Sequence, residues 1–245
     1  MSNPNLLELH NISKSFGALT ALRDLSFHIG EGEVVGLLGD NGAGKSTTVN
    51  LISGIHKPTD GYLSVDGKKT LFTCRSDSAD AGIETIYQHT ALVDSLSITR
   101  NIFMGRELTD RFGFLRQAEM RDIAMEVLQN AVHISGIDSP DTLVGNLSGG
   151  QKQAVAIARA VYFKKRVLLL DEPTSALSVR ETEALLNQVL KLKAENVSSV
   201  LVTHNIYHAY QVCDRFVIMS HGTKVFDVAK ADTTINQLTE YVVLT

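Results

Sequence analysis

Gly39-Asp40-Asn41-Gly42-Ala43-Gly44-Lys45-Ser46 fits the phosphate-binding pattern G-x-x-x-x-G-K-[ST] at every fixed position. Glycines at these positions let the backbone turn tightly and bring its N–H groups onto phosphate oxygens, where a Cβ would block the approach. Lys45 can reach the β- and γ-phosphates of a nucleotide, and the Ser46 hydroxyl can hold Mg²⁺. Far downstream, Val167-Leu168-Leu169-Leu170-Asp171-Glu172 is an apolar run ending in two carboxylates. Asp171 is placed to hold Mg²⁺, and Glu172 to orient or deprotonate a water. His204 closes the next apolar run, Ser198 to Thr203, where an imidazole can donate to a phosphate or to an attacking water.

Two further positions have a second reading. Leu147-Ser148-Gly149-Gly150-Gln151 opens a helical pattern, so Ser148 or Gly150 is either a plain cap or part of an anion site. Phe16 is either a packing residue or a ring that stacks on adenine.

These residues require particular elements around them. Glu33 to Leu38 reads as a buried strand feeding the loop, and Thr47 to Ser53 as the helix leaving it, with Gly54 at its end. The runs ending at Asp171 and Thr203 are apolar on both faces, as strands inside a parallel sheet are. Acids at the carboxyl ends of such strands sit where open α/β sheets bind ligands. Before the loop, Leu6 to Ile12 alternates as an edge strand would, 13–17 reads as a turn, and Leu22, Leu25, Phe27 and Ile29 mark a second strand. Tyr62 to Val65 is a short strand followed by the hairpin dipeptide Asp66-Gly67, so a small antiparallel layer is expected. Ile83 to Tyr87 reads as another strand, ending at Gln88. From about Thr90 to Ala160 the pattern is helical, clearest over Ala118 to Val132 and again over Lys152 to Tyr162. Ser178-Val179-Arg180-Glu181 matches a helix capping box. Two short strands are expected around Ser220-His221-Gly222, and a short helix after Lys230.

The 245 residues suffice for one large domain or a core with an inserted lobe. A net charge of −4 gives no bulk attraction to nucleic acid. Cys74 and Cys213 do not suggest a disulfide framework, which points to a reducing cytosol. No apolar run approaches the ~18 residues that span a bilayer, and 1–5 lacks the features of a signal peptide. Membrane association is therefore expected through a partner.

The order phosphate loop, Gln88, LSGGQ, apolar-Asp-Glu, His closely resembles the nucleotide-binding subunit of ABC transporters, over nearly the whole chain. The resemblance implies an α/β fold: a P-loop NTPase core with a mainly parallel sheet, an N-terminal antiparallel β layer and an inserted helical lobe. The core would hold 1–88 and 159–245, and the lobe 89–158. It implies ATP and Mg²⁺ as ligands, with Phe16 on adenine and Gly39, Asp40, Asn41, Gly42, Ala43, Gly44, Lys45, Ser46 and Thr47 on the phosphates. Ser148, Gly149, Gly150 and Gln151 would meet the γ-phosphate of ATP held by a second copy. Ser46, Gln88 and Asp171 would hold Mg²⁺, Glu172 would be the general base, His204 the switch histidine, and Gln88 a sensor of the membrane partner. One departure is Ser178, where the family often has Asp in the segment along its dimer interface. Ser is expected to cap the helix as Asp would.

The stretches 86–88, 91–97 and 101–107 look like the bacterial ribose, xylose and fructose importers. Many of these fuse two ATPase halves. This chain has one half and is expected to form an ATP-dependent homodimer. It would bind membrane-spanning subunits on the cytoplasmic face of the cell membrane and serve a sugar-binding protein indirectly. The alternatives are transport of a non-sugar substrate, an ABC-type ATPase of DNA repair or translation, and a non-hydrolysing regulator. The second usually carries long coiled coils or a charged linker, which this sequence does not show. The intact acidic pair and His204 argue against the third.

Overall fold

The computed structural model describes residues 5–87, 92–130, 137–175 and 177–243. The described residues fall into two compact units, one within 1–87, 165–173 and 186–245, the other within 88–164 and 174–185.

In the first unit the strands are β1 (Asn5–Phe16), β2 (Leu19–Gly30), β3 (Val34–Leu38), β4 (Asp60–Val65), β5 (Lys68–Thr70), β6 (Ile83–Ile86), β7 (Val167–Asp171), β8 (Ser198–Val202), β9 (Arg215–Ser220) and β10 (Thr223–Ala229). One sheet has the order β10-β9-β3-β8-β7-β6, parallel from β9 to β6, with β10 antiparallel at its edge. Every residue of β3 and β8 is buried, and in β7 only Asp171 is not. A strand covered on both faces has no solvent side to mark with polar residues, hence the unbroken apolar runs. Leu37, Val202 and Asp171 share one rung across β3, β8 and β7. The carboxyl ends of these three strands therefore finish level.

The second sheet, β2-β1-β4-β5, is antiparallel throughout. Here β1 lies between β2 and β4 rather than at an edge. The alternation that suggested an edge comes from the two faces of the sheet. Leu7, Leu9 and Ile12 are buried in the core, while His10 stacks on Tyr62 with ring centroids 4.5 Å apart. A one-sided sheet alternates in its central strands as much as in its edges. The turn expected at 13–17 is also later and tighter. β1 continues through its register shifts to Phe16, and the chain reverses at Gly17, with φ +59°. The hairpin at Asp66-Gly67 forms as expected, both residues having positive φ (51° and 71°).

The helices of this unit are α1 (Lys45–Ile52), α2 (Arg75–Asp80), α7 (Ile206–Val212), α8 (Ile235–Val243) and the later part of α6 (Val179–Ala194). α7 was not legible in the pattern. Its seven residues are too few for a clear period, and Asn205 starts it by accepting from the His208 N–H at 3.1 Å.

The second unit contains α3 (Ile98–Phe103), α4 (Gln117–Asn130), α5 (Gly149–Tyr162) and the start of α6. Ile98, Ile102, Phe103, Met120, Ala124, Leu128, Val155 and Ala158 form its buried core, placing Met120 in packing as its helical spacing implied. The break at 138–141 is real, with no helix until α5 apart from one 3-10 turn at Val144–Asn146.

Candidate functional site

The loop after β3 is shaped by what surrounds it. Gly39 has φ +142°, and a Cβ there would lie 2.2 Å from the Met219 carbonyl oxygen of β9. Gly44 has φ +102°, and its Cβ would lie 2.6 Å from Leu22 Cδ2 of β2. Neither position admits a side chain, so strand packing as well as phosphate access demands glycine. Lys45 opens α1 and is buried, its Nζ donating to the carbonyls of Gly39 at 2.6 Å and Asp40 at 2.9 Å. Burial pushes its pKa down, and Glu172, Asp40 and Asp171 oppose that shift. Ser46, exposed, and Thr47 follow in the first turn of α1, whose backbone N–H groups have no partner within the helix.

Asp171 ends β7 beside this loop. Burial raises its pKa first, the neighbouring Glu172 raises it further, and Lys45 pulls it back. Glu172 departs from the strand with φ +47°, a left-handed backbone that costs a non-glycine residue about 1 kcal/mol. Its N–H donates to the Val202 carbonyl at 2.9 Å, so β8 holds this turn in place. The side chain then reaches His204 just beyond β8, with Glu172 Oε1 2.9 Å from Nδ1. A carboxylate oxygen at this distance pairs with the Nδ1–H tautomer and orients the ring. The imidazole is 67% exposed and the carboxylate 19%, so the pair has a sheltered and an open end. His208, one turn further on, has its pKa lowered by burial and then by His204.

Phe16 ends β1 and is 42% exposed, so it lies outside the core, which leaves turn packing and adenine stacking as its two readings. It meets His56 edge-on at 5.1 Å between centroids, with Lys14 Nζ 5.0 Å from the ring centre.

Ser148, Gly149, Gly150 and Gln151 lie in the second unit. Ser148 is the N-cap of α5: its hydroxyl accepts from the Gln151 N–H at 3.2 Å, and Gln151 Oε1 accepts from the Ser148 N–H at 2.9 Å. The cap reading therefore holds, and it leaves the N–H groups of Gly149 and Gly150 at the positive end of α5. Ser178 caps α6 as expected: its hydroxyl accepts from the Glu181 N–H at 3.4 Å, and Glu181 Oε2 accepts from the Ser178 N–H at 3.0 Å. Gln88 lies outside the described residues.

The structure thus brings the loop, Lys45, Asp171, Glu172 and His204 together in one unit. Sequence reasoning missed three features: the left-handed turn at Glu172, the support of the loop by Leu22 and Met219, and the contact of Glu181 with Gly150. Only the last left a trace, in the capping-box spacing from Ser178.

A family model described as ABC transporter matches residues 22–175, and one described as a P-loop domain matches 116–245. This chain belongs to the ABC transporter family. As a member it is an ATP-binding subunit whose hydrolysis of ATP is coupled to transport. It is 45% identical to the xylose/arabinose import ATP-binding protein XylG of Sulfolobus acidocaldarius, over 96% of this chain and 93% of that one. It is 36% identical to the fructose import ATP-binding protein FrcA of Rhizobium meliloti, over 96% and 93%. It is also 37% identical to the ribose import ATP-binding protein RbsA of Hahella chejuensis, over 98% of this chain but 47% of that protein. The chain thus spans about half the length of the ribose relatives. Among solved structures, the ATP-binding cassette MJ0796, a dimer bound to ADP and phosphate, superposes with a TM-score of 0.76. It is 28% identical, over 92% of this chain and 99% of that one. A second ABC cassette, MJ1267, has a TM-score of 0.85 at 24% identity, over 98% of each chain, and shows the shared fold.

Proposed function

We propose that this chain powers a monosaccharide importer by closing as a homodimer over two ATP molecules. The observation that carries the catalytic part is the Glu172–His204 pair on the level strand ends beside Lys45. The sugar assignment draws on the xylose, ribose and fructose import proteins to which the chain is similar. The dimeric state draws on the MJ0796 cassette.

In this reading, Phe16 stacks on adenine, and the N–H groups from Gly39 to Thr47 cradle the phosphates. The ammonium of Lys45 exchanges its carbonyl partners for phosphate oxygens. Ser148, Gly149, Gly150 and Gln151 of the other copy complete the γ-phosphate site. Glu172 takes the proton of the attacking water, and His204, oriented by Glu172, donates from Nε2 to the γ-phosphate. Catalysis rests on positioning and charge stabilisation, with no covalent intermediate. Ser46 and Asp171 are hard oxygen donors suited to Mg²⁺, and the described residues contain no cluster of three or more His, Cys, Asp or Glu that would make an all-protein cage. This fits an ion that keeps phosphate and water ligands, held with help from Gln88; when bound it would neutralise phosphate charge. None of the described helices is long and apolar enough to cross a membrane. The chain would work at the cytoplasmic face through membrane-spanning subunits, sensed at Gln88, with a sugar-binding protein on the far side. The net charge of −4 and the import relatives set aside a nucleic-acid role.

Glu172→Gln tests the core of this reading. It should leave ATP binding intact and lower phosphate release at saturating ATP by about 10²-fold or more. Full turnover in that variant would refute the general-base role.

A further inference from the structure

Glu181 divides its two carboxylate oxygens between two helices. Oε2 accepts from the Ser178 N–H at 3.0 Å and from the Ser178 hydroxyl at 2.8 Å, closing the capping box of α6. That box needs one oxygen only. Oε1 accepts from the Gly150 N–H at 3.2 Å, at the first turn of α5. Gly150 is packed tightly against it: a Cβ there would lie 2.9 Å from both Cγ and Oε1 of Glu181. The Ser178 donors, then Ser148 and Gly150, hold the carboxyl at a pKa of about 2, so it is an anion throughout the working range.

We infer that Glu181 is an in-chain occupant of the proposed γ-phosphate site at the start of α5 and must turn away from Gly150 before a second copy's ATP can seat there. This rests on the shared-site reading above. One N–H cannot serve two anions at full strength, and a carboxylate and a γ-phosphate both left at this helix end repel each other. Glu181 therefore acts as a positioning residue that sets the ATP concentration at which two copies close. It also holds the first turn of α5 in place until they do.

Glu181→Gln separates the two oxygens' roles. A glutamine keeps one acceptor for Ser178, so the α6 cap survives, but its amide nitrogen cannot accept from Gly150. Two measurements decide the matter. In protein without added ATP, the Gly150 amide proton should move upfield in Glu181→Gln as its acceptor is lost; an unmoved resonance overturns the contact. In a Glu172→Gln background, light scattering should show Glu181→Gln dimerising at an ATP concentration lower by about threefold or more, as expected for removing an anion from a helix N-terminus. A dimer forming at the same or a higher ATP concentration overturns the inference and leaves the shared site intact. No ATP-dependent dimer with either side chain at 181 refutes the shared site, and the inference falls with it.

Discussion

Asp171 shows how the proposed catalytic cluster strains the protein that holds it. Its carboxyl is pushed above the ordinary aspartate pKa by burial and by Glu172, so the folded state resists its negative charge at neutral pH. A group whose folded pKa is raised supports folding only below its unfolded value, and that support is lost as pH rises through the folded one. Asp171→Asn removes the charge and should raise the melting temperature at pH 7 by about 2–4 °C, the shift about 1 kcal/mol gives in a chain this size. The gain should shrink toward zero as pH falls to the ordinary aspartate range, where both states hold the proton. Scanning calorimetry over pH 4–8 checks both the size and the sign. ATP turnover should fall in the same variant, because stability and function oppose each other at this residue. Glu172 carries a second strain in its left-handed backbone, held by β8 through the Val202 carbonyl.

At the scale of the element, the phosphate loop is a segment with two different reasons for glycine. At Gly39 a Cβ would meet the Met219 carbonyl at 2.2 Å, whereas at Gly42, with φ +86°, nothing lies within 4 Å. Gly42→Ala should therefore cost only the left-handed backbone, about 1–2 kcal/mol. Gly39→Ala must also displace β9 or the loop and should cost more than about 3 kcal/mol. Urea unfolding of the two variants compares them directly, and equal losses would show that β9 does not brace the loop. Their ATP affinities should diverge in the same order. The α5 start is a second such element, where Ser148 and Gln151 satisfy each other and the Gly150 N–H is taken by the Glu181 carboxylate.

For the whole molecule, the shared-site reading requires that neither half of the chemistry work alone. With Glu172→Gln blocking turnover, ATP should convert monomer to dimer, and adding Ser148→Arg should abolish the dimer by removing the cap of α5 and filling with a long side chain the space the γ-phosphate must enter. Light scattering with and without ATP reads this; a dimer that persists in the double variant would dismiss the shared site. By itself the sequence singled out the residues proposed for the chemistry. Lys45, Asp171, Glu172, His204 and the LSGGQ segment are legible because phosphate binding restricts residue type at short, fixed spacing. It determined the buried strands too, because burial on both faces leaves an unbroken apolar run. The tertiary structure alone decided which strands are neighbours, since β3, β7 and β8 meet from distant stretches and no local pattern records their order. It alone showed β1 inside its sheet, because a solvent face writes the same alternation into central and edge strands. It alone turned Glu172 toward His204 and Glu181 toward Gly150. Those contacts depend on backbone dihedrals and on packing between residues far apart in the chain, and residue type constrains neither.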